Sequence, residues 1–128
     1  MNVFLYVVLF IGCSPKKQIN NYDKFANTIW ASKVAPNCID TLKFFKNGRL
    51  LSYSCEIEYQ AKGSYTVKGD TVVAVINEDS HGTVENWRYT YVLNNNALIP
   101  IRSEQQFKGE WILEKSNFDK TYMFKKIR

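Results

Sequence analysis

From Thr28 onward, β-branched and aromatic residues alternate with polar ones in short runs bounded by Asn, Gly and Asp, the pattern of an antiparallel β protein. The run from Ile39 to Ile57 carries Asn47-Gly48 between its halves. That dipeptide is the strongest short hairpin signal, because both residues tolerate the positive φ of a two-residue type I′ turn. Pairing Lys46 with Arg49 across such a turn sets Phe44 opposite Leu51, Leu42 opposite Tyr53 and Asp40 opposite Cys55, all on one face. The other face then carries Thr41, Lys43, Ser52, Ser54 and Glu56, with Ile39, Phe45 and Leu50 as its apolar members. The first face is expected inside and the second wet.

Lys68-Gly69-Asp70-Thr71 predicts a second hairpin, with Gly first in a two-residue loop as a type II′ turn prefers. Its register sets Val67 against Val72 and Tyr65 against Ala74, with Ile76 on the same face and Thr66, Lys68 and Thr71 on the other. Further on, Trp87, Tyr89, Tyr91 and Leu93 alternate with Arg88, Thr90 and Val92. An Asn94-Asn95-Asn96 turn, a strand from Ala97 to Ile101 and a closing alternation from Thr121 to Ile127 complete the pattern. Between Arg102 and Lys120 the pattern is ambiguous: Gly109 argues against one long helix, and Glu110 to Glu114 fits a strand. About eight or nine short strands joined by tight turns predict an all-β fold, an up-and-down antiparallel barrel of about eight strands. Closure also removes the exposed edges that so many β-formers would otherwise present.

Ahead of this domain, Val3 to Ile11 form an unbroken apolar run without charge. A membrane-spanning helix needs about 20 apolar residues, so the run is too short to span and fits the centre of a secretory signal peptide. Phe10-Ile11-Gly12-Cys13, followed by Ser14-Pro15-Lys16-Lys17, resembles the lipobox of bacterial lipoproteins. The resemblance implies a signal peptide over residues 1–12, removed before Cys13, and a lipid (diacylglyceryl, with a further acyl chain such as palmitate) on Cys13. Residues 13–26, polar and containing Pro15, read as the lipidated cysteine and its tether, and residues 27–128 as the barrel domain. The absence of acidic residues just after Cys13 resembles lipoproteins kept on the periplasmic face of the outer membrane.

Composition narrows the function more than it names it. Hydrophobic residues at 45% and aromatics at 15% suffice for a packed core, which argues against a disordered chain. The formal charge of +5 comes from lysines and arginines spread along the chain, so no nucleic-acid-binding face is expected. A monomer is expected.

Trp30 on the first strand, Gly63-Ser64-Tyr65-Thr66-Val67 followed by Gly69-Asp70, the Trp87-Arg88-Tyr89 strand and the closing Tyr122-Met123-Phe124-Lys125-Lys126 resemble small lipocalin-like lipoproteins of the Bacteroidetes type. Lipocalins proper have Gly two residues before that Trp, where this chain has Thr28, and a basic residue packed on the Trp, for which Lys126 or Arg128 would serve. Asp40-Thr41-Leu42 and Asp70-Thr71-Val72 match the short pattern that Bacteroidetes modify by O-glycosylation, which makes Thr41 and Thr71, both expected outside, candidate sites.

Cys38 and Cys55 remain once Cys13 is assigned to lipid, and outside the cytoplasm such a pair normally oxidises. The two-residue hairpin register leaves them diagonal, about 7–8 Å apart at Cα, so the predicted disulfide requires Pro36-Asn37 to bend Cys38 into reach. His81, the only histidine, stands in the loop from Asn77 to Glu85 without a nucleophile motif or ligand set around it. No catalytic residue, metal or cofactor is therefore assigned. Phe44, Tyr53, Tyr65, Trp87, Tyr89 and Tyr91 fall on the expected interior. They either line a pocket for an apolar or aromatic ligand or fill a small barrel, and the bulk of the side chains favours filling. The leading expectation is a non-enzymatic, membrane-anchored barrel that binds a small ligand or an envelope partner. The alternative is an enzyme-inhibiting or interaction module, comparable to lysozyme inhibitors, acting through the loop that carries Glu78, Asp79, His81 and Glu85.

Overall fold

The computed structural model describes residues 22–79, 82–119 and 122–128. The signal-peptide segment, Cys13, most of the tether and His81 lie outside those residues. Nine strands follow in chain order: β1 (Thr28–Ala35), β2 (Cys38–Phe44), β3 (Arg49–Ser54), β4 (Tyr59–Lys68), β5 (Thr71–Glu78), β6 (Glu85–Asn94), β7 (Ala97–Phe107), β8 (Glu110–Lys115) and β9 (Phe124–Lys126). Every pairing is antiparallel. β1 to β6 form a meander, β7 pairs with both β6 and β9, and β9 pairs with β1, so eight strands close into a barrel. β8 is the extra strand.

β7 serves two neighbours because it is long. Its Ala97 and Leu98 pair with β9, whereas Ser103 to Phe107 pair with β8 across the Lys108-Gly109 turn. Both turn residues have positive φ, 49° and 80°, as a type I′ hairpin requires. The segment that was ambiguous in the sequence is thus a hairpin. Pro100, which has no N–H to donate, sits at the bulge where the β6–β7 register shifts between Thr90 and Tyr91.

The β4–β5 hairpin has the expected register, Val67 with Val72 and Tyr65 with Ala74, and Gly69 at φ 59° opens its turn. The β2–β3 hairpin does not. Phe44 pairs with Leu50, Leu42 with Ser52 and Thr41 with Tyr53, one residue away from the two-residue-turn register. Lys46-Asn47-Gly48 form a three-residue loop, bracketed by the Phe45 N–H donating to the Arg49 carbonyl at 2.9 Å. Asn47 and Gly48 still use the positive φ that made them a turn signal, 65° and 72°. Gly48 is also buried where a Cβ would stand 3.0 Å from the Tyr22 ring and the Tyr65 carbonyl oxygen. A one-residue slip moves a whole strand's side chains to the opposite face. Leu50, Ser52 and Ser54 therefore face inward, and Leu51 and Tyr53 outward, the reverse of expectation.

One end of the barrel is closed by aromatic packing. Tyr22–Lys24 make a 3-10 turn, and Phe25 behind it is fully buried. Residues 22–26 thus belong to the domain rather than to a tether, because Phe25 fills the barrel end against Trp30 (ring centroids 6.0 Å) and Phe44 (5.4 Å). Tyr65 meets Phe44 edge-on at 4.8 Å and Tyr22 at 5.3 Å, and its hydroxyl donates to the Phe45 carbonyl at 2.7 Å. Thr28 has a positive role here. Its hydroxyl donates to the Phe25 carbonyl and accepts from the Trp30 indole N–H at 2.9 Å, satisfying a buried donor. Lys126 pairs with Trp30 across β1 and β9 but is itself exposed.

Candidate ligand cavity

The other half of the barrel encloses a cavity of about 370 Å³. Its existence follows from the β2–β3 register. At this level Ser52 and Ser54 of β3 and Ala61 of β4 are inward and too small to reach the opposite wall, with Tyr59 following Ala61 at the rim. With the slipped-back register, Leu51 and Tyr53 would have occupied that space. Small residues against large ones leave a void; large against large, as at the closed end, do not.

The large wall is β6. Trp87, Tyr89 and Tyr91 lie on one face at successive inward positions, with ring centroids 6.2 Å apart at each step and interplanar angles of 17° and 28°. Phe124 of β9 meets Tyr91 edge-on at 5.9 Å. This ladder presents aromatic surface along the cavity from the rim to the buried Tyr91.

Of the six aromatic residues assigned to the interior, Trp87, Tyr89 and Tyr91 line the cavity as a stack. Tyr53 borders it as well, although its register partners Thr41 and Gln60 place it in the outward row. Phe44 and Tyr65 are not at the cavity. Both are inward but belong to the closed end, where Phe25 and Tyr22 cover them. The interior is filled at one end and open at the other, so the two readings of these aromatics each describe one half.

Sequence reasoning missed the small residues and the rim. A two-residue turn at Asn47-Gly48 turns Ser52 and Ser54 outward, whereas Gly at the last position of a three-residue loop, an equally available signal, turns them inward. Lys115, Phe118 and Tyr122 line the mouth; the Lys115 ammonium stands 5.2 Å from the Phe118 ring centre and 5.0 Å from that of Tyr122. Asp40 and Glu78 are the lining carboxylates.

Asp40 is held by geometry. β3 ends at Ser54 and the chain turns through Cys55 to Glu58, with Glu58 at φ 49°. The Cys55 N–H donates to the Asp40 carboxylate at 2.8 Å. Cys55 leaves the strand alternation in that turn, which brings its Cα within 5.4 Å of that of Cys38, and the two form a disulfide. Pro36 and Asn37 form the tight turn between β1 and β2 that delivers Cys38. The bond closes a loop of 17 residues at the rim, stabilising by about 3 kcal/mol. Tyr59, also at this rim, accepts from the Asp79 N–H at 3.1 Å.

Burial pushes the Asp40 carboxyl up from its ordinary value, opposed by the Cys55 hydrogen bond and reinforced by Glu56. The Tyr89 hydroxyl is pushed up to about 12, by burial first and then by the charges of Glu78, Asp40 and Glu114. Burial also raises Tyr91, with Tyr89 and Asp40 adding to it. The tyrosines are therefore neutral hydroxyls at physiological pH, able both to donate and to accept.

Outside the barrel wall, Glu104 of β7 is buried beneath β8 and bonded to two arginines. Its carboxylate accepts from both Nε (3.1 Å) and Nη2 of Arg88, and from Arg102 at 3.2 Å. The Arg88 guanidinium in turn lies 4.6 Å from the Trp111 ring centre. This cluster fastens β8 to β6 and β7 and takes no part in the cavity. Thr41 and Thr71, the candidate glycosylation positions, are half-buried on strands at outward positions. Among the described residues no group of His, Cys, Asp and Glu is arranged to hold a metal ion.

Comparisons with protein-family models, with curated proteins and with solved structures found no match.

Proposed function

We propose that this barrel is a non-enzymatic carrier that holds a small apolar or aromatic molecule in its open half. The observation that carries the reading is the cavity itself, about 370 Å³ and bordered by the Trp87–Tyr89–Tyr91 ladder. Its volume lies in the range of small-molecule sites and suits a body of two or three rings. Aromatic faces supply area and dispersion, while the hydroxyls of Tyr89, Tyr91 and Ser103 supply orientation. The lipocalin-like motifs at Trp30 and at Gly63 to Asp70 favour the same use of the barrel interior.

The carrier works at a membrane. Val3 to Ile11 and the Phe10-Ile11-Gly12-Cys13 sequence support export and a lipid anchor on Cys13, on the periplasmic face of an outer membrane. Palmitate labelling that disappears in Cys13→Ser is the expected result for the anchor; labelling that persists would exclude it.

Titration with N-phenyl-1-naphthylamine, a neutral aromatic probe whose emission rises in apolar sites, tests carriage directly. One saturable site per chain is expected, with quenching of Trp87 as the probe fills. No saturable binding would overturn the reading and shift the function to the loops.

A further inference from the structure

We infer that the molecule this cavity takes is a small organic cation, an amine or quaternary ammonium joined to an aromatic or apolar body. The inference rests on the carrier reading and assigns the chemical class of its ligand. Three observations converge on it. First, the chain carries a formal charge of +5, yet two carboxylates, Asp40 and Glu78, line the cavity against its general character. Lys115 lines the exposed mouth with its ammonium over the Phe118 and Tyr122 rings.

Second, the ladder is itself a cation receptor. Trp is the strongest cation-binding ring and Tyr the next, and rings of both kinds line the cavity with a carboxylate alongside, the two forces that hold organic ammonium ions. Lys115 over Phe118 and Tyr122 shows the same chemistry at the mouth, with a cation on aromatic rings.

Third, the cavity lining carries hydroxyl oxygens as well as carboxylates. Tyr91 and Ser103 are each only 4% exposed, and both line the cavity. A protonated amine brings N–H donors to a cavity that holds acceptors, among them the Asp40 carboxylate and the oxygens of Tyr91 and Ser103, and a quaternary ammonium brings the charge alone. An anionic ligand would meet the carboxylates without gain, and a hydrocarbon would leave the hydroxyls dry.

Three probes with one naphthalene body separate the classes: 1-naphthylmethylammonium, 1-naphthylmethanol and 1-naphthylacetate, each measured by calorimetry on the folded chain. The cation is expected to bind at least about tenfold tighter than the alcohol, and the anion weakest of the three. The ratio of cation to alcohol affinity is expected to collapse to within about threefold in Asp40→Asn and to fall in Glu78→Gln. Asn keeps an acceptor for the Cys55 N–H, and Glu78→Gln leaves that bond untouched, so a folding defect in one variant leaves the other to read. If the alcohol binds as well as the cation, the inference is overturned while carriage stands. If none of the three binds, carriage fails and the inference fails with it.

Discussion

The two halves of this barrel are built from the same strands with the same alternation, yet one is solid and the other hollow. At the closed end, Phe44 and Leu50 on neighbouring strands meet Phe25, Trp30 and Tyr65, and each of these is 2% exposed or less. At the open end, the same two strands continue inward with Leu42 and Ser52, then Asp40 and Ser54. The facing row of β6 runs from Leu93 toward the closed end to Tyr91, Tyr89 and Trp87 along the cavity, so the change from large to small comes from Ser52 and Ser54 on β3 and Ala61 on β4. A barrel of this size has room either for side chains or for one small ligand; here each end does one of the two.

The sharpest break of that comparison is a matched truncation. Phe44→Ala removes a ring from a closely packed cluster and is expected to destabilise by about 3–5 kcal/mol. Tyr89→Ala removes a ring that already borders open space, and is expected to cost less than half of that while weakening probe binding severely. Chemical denaturation of both variants checks the difference. Equal costs would mean that the open half is packed as tightly in solution as the closed one.

Glu104 provides a smaller effect, away from both halves. Arg88 and Arg102 hold its carboxyl below the usual value, the Arg88 hydrogen bond first, against the opposing pull of burial. A depressed folded-state pKa means stability that is present above the unfolded value and lost as pH falls through the folded one. The thermal midpoint of the wild type should therefore drop on acidification from about pH 4 downward. Glu104→Gln should lower the midpoint at neutral pH, by about 1–2 kcal/mol equivalent since both arginines can turn to water, and flatten that acid limb. Probe binding should be unaffected, because the cluster lies outside the barrel wall. An acid limb identical in the variant would show that Glu104 gains nothing from its arginines.

How much of this was legible in the sequence follows the locality of each signal. Gly69-Asp70 set the β4–β5 register by itself, because a two-residue loop with Gly first has one dominant geometry. The alternation of Trp87, Tyr89 and Tyr91 likewise placed three rings on one inward face. The closed barrel followed from strand count and tight turns. Asn47-Gly48 was a correct turn signal with the wrong loop length, since Asn and Gly satisfy positive φ in two-residue and three-residue loops alike. The choice between them is made at a distance, by Gly48 fitting beneath Tyr22 and by Leu50 completing the packing around Phe44. The disulfide depends on two turns, of which the sequence signals only Pro36-Asn37; the end of β3 at Ser54 brings Cys55 across. The mouth residues Lys115, Phe118 and Tyr122 had no local signature, because only closure of the barrel brings β8 and the segment after it over the opening.

Filling the hollow half without touching the solid one is the most direct test of the account. Ser52→Leu places a branched apolar side chain at an inward position beside Leu42 and Ala61, where the cavity offers space for it. Saturable N-phenyl-1-naphthylamine binding should be lost or weakened at least about tenfold, with the thermal midpoint equal to or above that of the wild type. A folded Ser52→Leu variant that binds the probe with wild-type affinity would contradict both the register of β3 and the assignment of the cavity as the ligand site.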